Sequence, residues 1–206
     1  RFVIAVPADR KEEVRVDWNV FASEVEEEFH VSDTQMVWNM QSTDAQPVIE
    51  KAVADRFIRA LQAVDNGVFA MCQDKALETM VETSSNIASI ITEEEKISCV
   101  ASQRSNVMSN LDNMCNTVKA VFELAGAHVE QNDGYPAWKM NPNSQLTALV
   151  VESYKKLFGK EPIVRGIHAG LECGILAGKI DGLDAVSIGP DMIAIHTTEE
   201  KLSISS

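Results

Sequence analysis

The sequence predicts an α/β protein in two parts: a two-layer domain of helices on an antiparallel sheet over residues 1–135, then an incomplete α/β segment over residues 136–206. Three observations predict it. Long helical periodicities alternate with short strand patterns in the first part. A break rich in Gly and Pro, Asn132 to Asn143 (NDGYPAWKMNPN), interrupts them. Beyond the break the order becomes helix, strand, short helix, strand, which suits a parallel sheet but is too short to close one.

Phe2 to Val6 reads as a short buried strand. Residues 9–30 follow as a charged helix with Val14, Trp18, Phe21, Val25 and Phe29 on one face. Thr34 to Met40 alternates, with Met36, Trp38 and Met40 on one side, as a half-buried strand does. Pro47 is placed to open a second helix, whose face is Ile49, Val53, Phe57, Ala60, Leu61 and Val64, and Asn66-Gly67 stops it. Residues 68–86 carry no clear period. Asn86 to Ile91 and Lys96 to Ser102 read as two strands joined by the acidic turn Thr92-Glu-Glu-Glu95. A third helix spans Ser105 to Ala125, capped by Gly126, with a strand expected over Ala127 to Gln131. In the second part Ser144 to Phe158 is a helix closed by Gly159. Pro162 to His168 is a strand, Gly170 to Leu176 a short helix followed by Gly178, and Ala185 to Ile188 a second strand.

Composition narrows the function. Of 206 residues, 45% are apolar and 24% charged, enough to bury a core. The net charge of −13 would repel polyanions, so neither nucleic acid nor an anionic membrane is an expected partner. Cys72, Cys99, Cys115 and Cys173 are widely spaced in apolar runs, the pattern of free thiols in a reducing compartment, which points to the cytoplasm. No apolar run approaches membrane-spanning length and no signal peptide is visible. The chain opens directly on Arg1-Phe-Val-Ile-Ala-Val-Pro7 without an initiator Met, and is read as a piece cut from a longer protein, a processed independent protein being the alternative.

A few residues carry possible chemistry. In Ile167-His-Ala-Gly-Leu-Glu-Cys-Gly174 a strand ends at His168, Gly170 permits a tight turn, and a helix begins beside Glu172. Loops at the carboxyl ends of parallel strands are where α/β folds bind ligands. Glu172 is therefore either a holder of a cationic group, such as a free amine, or a carboxylate capping a helix dipole. His196 in Ile193-Ala-Ile-His196-Thr-Thr-Glu-Glu200 is either a metal ligand through its neutral imidazole or a surface histidine. Arg104, between a strand and a helix, is either a bidentate carboxylate clamp or a surface arginine. His30 and His128 have no ligand-type spacing to another group, no HxD pair occurs, and Glu26–Glu28 and Glu93–Glu95 read as solvated charge. A metal site that activates water for hydrolysis needs at least three ligands per metal and a base, so the chain is not expected to assemble such a site, or to supply its catalytic groups, from its own residues.

Gly134-Tyr-Pro-Ala-Trp138, Asn143-Ser144, His168-Ala-Gly-Leu-Glu-Cys-Gly174, Val186-Ser-Ile-Gly-Pro190, and His196 with Glu199-Glu-Lys-Leu202 together resemble the carboxyl-terminal part of the bacterial aminoacyl-histidine dipeptidases. These are also called cytosol non-specific dipeptidases and belong to the M20 clan of dinuclear-zinc peptidases. Residues 1–133 resemble, more loosely, the lid domain inserted into that family's catalytic domain. The resemblance implies hydrolysis of unblocked dipeptides, including the Xaa-His type, by water activated between two zinc ions. It implies that His196 is the last metal ligand, that Arg104 meets the substrate carboxylate, and that His168 and Glu172 belong to the substrate pocket. The other ligands and the base are expected upstream of Arg1, leaving this piece inactive alone. A homodimer through the lid is a further expectation. Thr197-Thr198 departs from the family's usual Ser-Pro after the histidine. The competing readings are a non-catalytic dimerisation or substrate-binding module, and a deacylase or tripeptidase of the same clan.

Overall fold

The computed structural model describes residues 2–74, 77–132, 134–168 and 171–206. The chain divides into two compact units, Arg1–Asp55 and Arg56–Ser206.

In the first unit a single 3-10 turn, Ala8–Arg10, leads into helix α1, Lys11–Phe29. The expected helix is present, with Ala22 as its buried residue. The two expected strands are not. Phe2 to Val6 and Thr34 to Met40 form no ladder, and Phe2, Val3 and Ile4 are mostly exposed. A strand is defined by its partner, and these segments are held by aromatic contacts on α1 instead. Phe2 and Trp18 stand edge to face at 6.1 Å, Trp18 and Trp38 at 5.6 Å, and Phe21 and Trp38 at 6.0 Å. The alternation of Met36 and Trp38 was therefore a burial signal without a sheet. Helix α2, Lys51–Ala63, begins four residues beyond Pro47. The β-branched pair Val48-Ile49 is a poor first turn, and the Glu50 carbonyl receives the first helical N–H groups, from Val53 and Ala54.

The second unit is built on three antiparallel strands in the order β1-β2-β3: β1 Gly67–Met71, β2 Val81–Thr92 and β3 Ile97–Ser105. The expected hairpin is present but longer at both ends, and β1 lies in the stretch whose period was unreadable. Register irregularities between Val68 and Met71, and between Ile87 and Ser89, explain why: each bulge shifts the inside-outside alternation by one. Helix α3, Met108–Leu124, packs on one face of the sheet. Its buried residues Met114, Val118 and Phe122 recur every four positions and meet Ala60 and Val64, with Ile87, Cys99 and Ala101 from the strands beneath. Its other expected apolar residues, Met108, Leu111 and Cys115, face a cleft described below.

Helix α3 ends as the sequence requires. Gly126, at φ +86°, donates its N–H to Glu123 O, and Ala127 donates to Phe122 O, the paired bonds of a Schellman closure. The strand expected over Ala127 to Gln131 is absent, because Val129 is used as a side chain against the core rather than in a ladder.

Helix α4, Gln145–Phe158, matches its expected limits. Ser144 Oγ accepts from Thr147 N at 2.9 Å, and Gly159 closes the helix at φ +63°. Asp184 also accepts from Leu146 N there; that bond, helped by the Ser144 hydroxyl, holds its carboxyl below the usual range. Helix α5 is Glu172–Lys179, so Gly178 lies inside it rather than after it. The parallel strands expected at 162–168 and 185–188 form no ladder among the described residues. A parallel strand needs neighbours along its edges, and Ile163, Ile167 and Ile188 stay more than half exposed. Among the described residues the pairing here is a two-residue antiparallel ribbon, β4 Met192–Ile193 with β5 Lys201–Leu202. The mixed class, helices with an antiparallel sheet, stands, and no parallel pairing is present among the described residues. The sequence-based division at 135/136 falls inside the second unit.

Among the described residues no disulfide forms and no helix is long and apolar enough to cross a membrane. Met114 is 1% exposed at the centre of the core. Met114→Ala is expected to cost about 2–5 kcal/mol in denaturant unfolding; a loss below about 1 kcal/mol would mean the helix does not seat there.

Candidate functional site

Strand β3 is one of the two outer strands of the sheet, and a cleft of about 730 Å³ opens beside it. Arg104 and Ser105 at the end of β3, Met108 and Leu111 from α3, Tyr135 and Trp138 from the Gly-Pro-rich break, His168 and His196 all line it. Three of the four residues expected from sequence therefore meet in one place. Glu172 is not among the lining residues. It is the first residue of α5, is exposed, and has no hydrogen-bond partner among the described residues.

Arg104 is not between strand and helix, as expected, but inside β3 at its penultimate position. The β2–β3 register places it directly opposite Ser84. Side chains of opposed residues leave a sheet on the same face, so Ser84 and Arg104 share one. His168 reaches that pair from the far end of the sequence: its Nε2 lies 2.7 Å from Ser84 Oγ. Burial first, and then the Arg104 charge, hold the His168 imidazole below its ordinary value of 6.5. At neutral pH the cleft thus presents a fixed cation beside a neutral imidazole.

Two glycines make this assembly possible. A Cβ at Gly166 would lie 2.6 Å from Met80 Sδ, so the segment leading to His168 runs hard against the turn before β2. A Cβ on Gly174 would lie 3.1 Å from the Pro136 carbonyl oxygen and 3.2 Å from Trp138 Cβ. The last glycine of the HAGLECG run is therefore the seat on which the GYPAW segment rests, and that segment forms the cleft's aromatic wall. The tight turn expected at Gly170 lies outside the described residues, as does Ala169.

His196 occupies a turn with left-handed backbone, φ +66°, next to Ala194 at φ +52°. Each such residue costs about 1–2 kcal/mol unless its surroundings hold it. Here the His196 N–H donates to Glu200 Oε2 at 2.7 Å, and the Thr197 hydroxyl donates to Ala194 O at 2.7 Å while accepting from Glu199 N at 3.1 Å. The departure at Thr197 thus still supplies the hydroxyl that ties the turn.

The Cys115 thiol on the cleft wall is not poised as a nucleophile. Burial, followed by the Asp112 carboxylate, pushes the Cys115 thiol up, so it stays protonated at neutral pH. No group of three or more His, Cys, Asp or Glu placed to hold a metal converges among the described residues. Ser84 was missed in the sequence because it lies in the unreadable stretch. Asp112 was missed because it falls between the apolar positions of α3. Tyr135 and Trp138 were visible as parts of the resemblance but not as a wall.

No family profile matches the chain. Over 98% of its length it is 32% identical to the cytosol non-specific dipeptidase of Escherichia coli K12. Its fold superposes on the crystal structure of aminoacylhistidine dipeptidase from Vibrio alginolyticus with a TM-score of 0.79, at 34% identity over 97% of the chain. The resemblance read from HAGLECG and its companion motifs is thereby borne out. The chain spans about two fifths of the length of these relatives, 42% and 41% respectively.

Because the Arg104 charge adds to burial in depressing His168, Arg104→Gln should raise the midpoint of the His168 ring titration in an NMR experiment. An unchanged midpoint would place the guanidinium out of range. The sign for stability follows: a depressed imidazole contributes fully above 6.5, and the contribution is lost as pH falls through the folded-state value.

Proposed function

We propose that this chain is the substrate-recognising part of a zinc-dependent dipeptidase that hydrolyses unblocked dipeptides, Xaa-His among them, and that it contributes one metal ligand, His196. The observation that carries the reading is the meeting of Arg104, His168 and His196 in one cleft beside β3. A dipeptide ends in a carboxylate, and a guanidinium is the side chain best shaped to receive one, through two parallel N–H donors. The neutral His168 beside it adds hydrogen bonding without a second charge. Zinc, when bound in the complete enzyme, supplies an activated water. The residues present do not make that site, so no hydrolytic step is assigned to them, and the isolated chain is expected to be inactive.

In this reading residues 1–135 act as a lid and residues 136–206 as a portion of the catalytic domain. Glu172, exposed at the start of α5, is left for the substrate's free amine when other segments complete the pocket. The unpaired edge of β3 suits a contact between two copies, giving a homodimer. The name of the Escherichia coli relative supports a cytoplasmic location.

A second reading follows from the unpaired outer strand of the sheet: a non-catalytic binding or dimerisation module. Sedimentation separates the roles, since a chain that stays monomeric at high concentration does not serve as a dimerisation module. In the full-length protein His196→Ala is expected to abolish dipeptide hydrolysis and lower bound zinc; full turnover with zinc retained would overturn the ligand assignment. Arg104→Ala is expected to lower kcat/KM by roughly 10- to 100-fold, the worth of a hydrogen-bonded charge, and an unaltered value would remove it from the carboxylate site.

A further inference from the structure

We propose that Ser84 is a positioning residue: its hydroxyl donates to His168 Nε2, fixes the ring as the Nδ1–H tautomer, and so makes His168 a second donor, beside Arg104, to the substrate's terminal carboxylate. The inference rests on the carboxylate reading of the cleft and adds to it a residue on a different element.

The geometry is specific. Ser84 Oγ and His168 Nε2 are 2.7 Å apart, and Ser84 faces Arg104 across the β2–β3 ladder. A neutral imidazole has one N–H and one lone pair, and the hydrogen bond at one nitrogen decides what the other offers. With Nε2 occupied by Ser84, Nδ1 is the remaining ring nitrogen, and it has no partner among the described residues. Two arrangements are chemically open. If Nε2 carried the proton, Ser84 would accept it and Nδ1 would present a lone pair next to Arg104, opposing any anion the guanidinium attracts. If Ser84 donates, Nδ1 carries N–H, and the imidazole and guanidinium act on the anion together. Only the second makes the cleft coherent toward a carboxylate. Two residues earlier the same segment passes close to the turn before β2, where a Cβ at Gly166 would lie 2.6 Å from Met80 Sδ.

Two measurements test this. In this chain, long-range ¹H–¹⁵N NMR should report the Nδ1–H tautomer for His168, and Ser84→Ala should shift it toward a mixture. The Nε2–H tautomer in the unaltered chain, or an unchanged spectrum in Ser84→Ala, overturns the proposal. In the full-length protein, Ser84→Ala should raise KM for a dipeptide about three- to tenfold with kcat little changed. It should leave the corresponding dipeptide amide, which has no carboxylate, unaffected, and Ser84→Thr should restore the free-acid KM. Equal penalties on acid and amide, or failure of Ser84→Thr to restore, would make Ser84 structural only. A full-length protein that cleaves no dipeptide at all sinks the dipeptidase reading, and the tautomer spectrum still decides the role of Ser84 separately.

Discussion

The candidate site depends on a hydrogen bond that closes 84 residues of sequence, from Ser84 in the middle of the sheet to His168 in a loop. Neither side of the cleft has meaning without it. The sheet by itself presents an exposed arginine on an outer strand, and the loop by itself presents a histidine ahead of a short helix. Joined, they put a fixed positive charge and a neutral imidazole side by side, with Arg104 helping to keep that imidazole uncharged. Close packing accompanies it in the flanking chain, Gly166 against Met80 and Gly174 against Pro136 and Trp138. A side chain at Gly166 would have to displace the end of Met80, and one at Gly174 would press on the Pro136 carbonyl and Trp138.

The helices were legible because each carries its own signal. Helix α4 announces both ends, Ser144 by its hydroxyl and Gly159 by its left-handed backbone, and α3 closes on Gly126 through two backbone bonds. The strands were less legible because their evidence is non-local. Bulges in β1 and β2 break the period-two alternation, which hid β1 and shortened the expected β2. The reverse error occurred where a strand was expected but no ladder forms among the described residues, at 34–40 and at 162–168. There apolar side chains serve aromatic packing in one case and stay exposed in the other.

The site was legible in its residues and illegible in its relations. Arg104, His168 and His196 stood out through the motifs around them, yet nothing in the sequence joins them, and Ser84 carries no signal at all in a run of small polar residues. Likewise the repeated small residues at Gly174 and Gly178 read as helix punctuation, whereas in the fold they are the surface that receives Pro136. Helix α3 shows the same economy: one apolar stripe, four residues apart, fills the core, and its neighbour lines the cleft. The fold gathers Arg104, His168 and His196 around one cleft, with no cluster of metal donors among its described residues.

The claim on which the account rests is that the His168 loop sits on β2 at Ser84. A nuclear Overhauser experiment reads it directly. The account requires a cross-peak between the His168 ring proton on Cε1 and the Ser84 β-protons, as the 2.7 Å contact demands. If that cross-peak is absent while the β2–β3 ladder cross-peaks are intact, the sheet is folded, the loop is elsewhere, and the cleft does not exist as described.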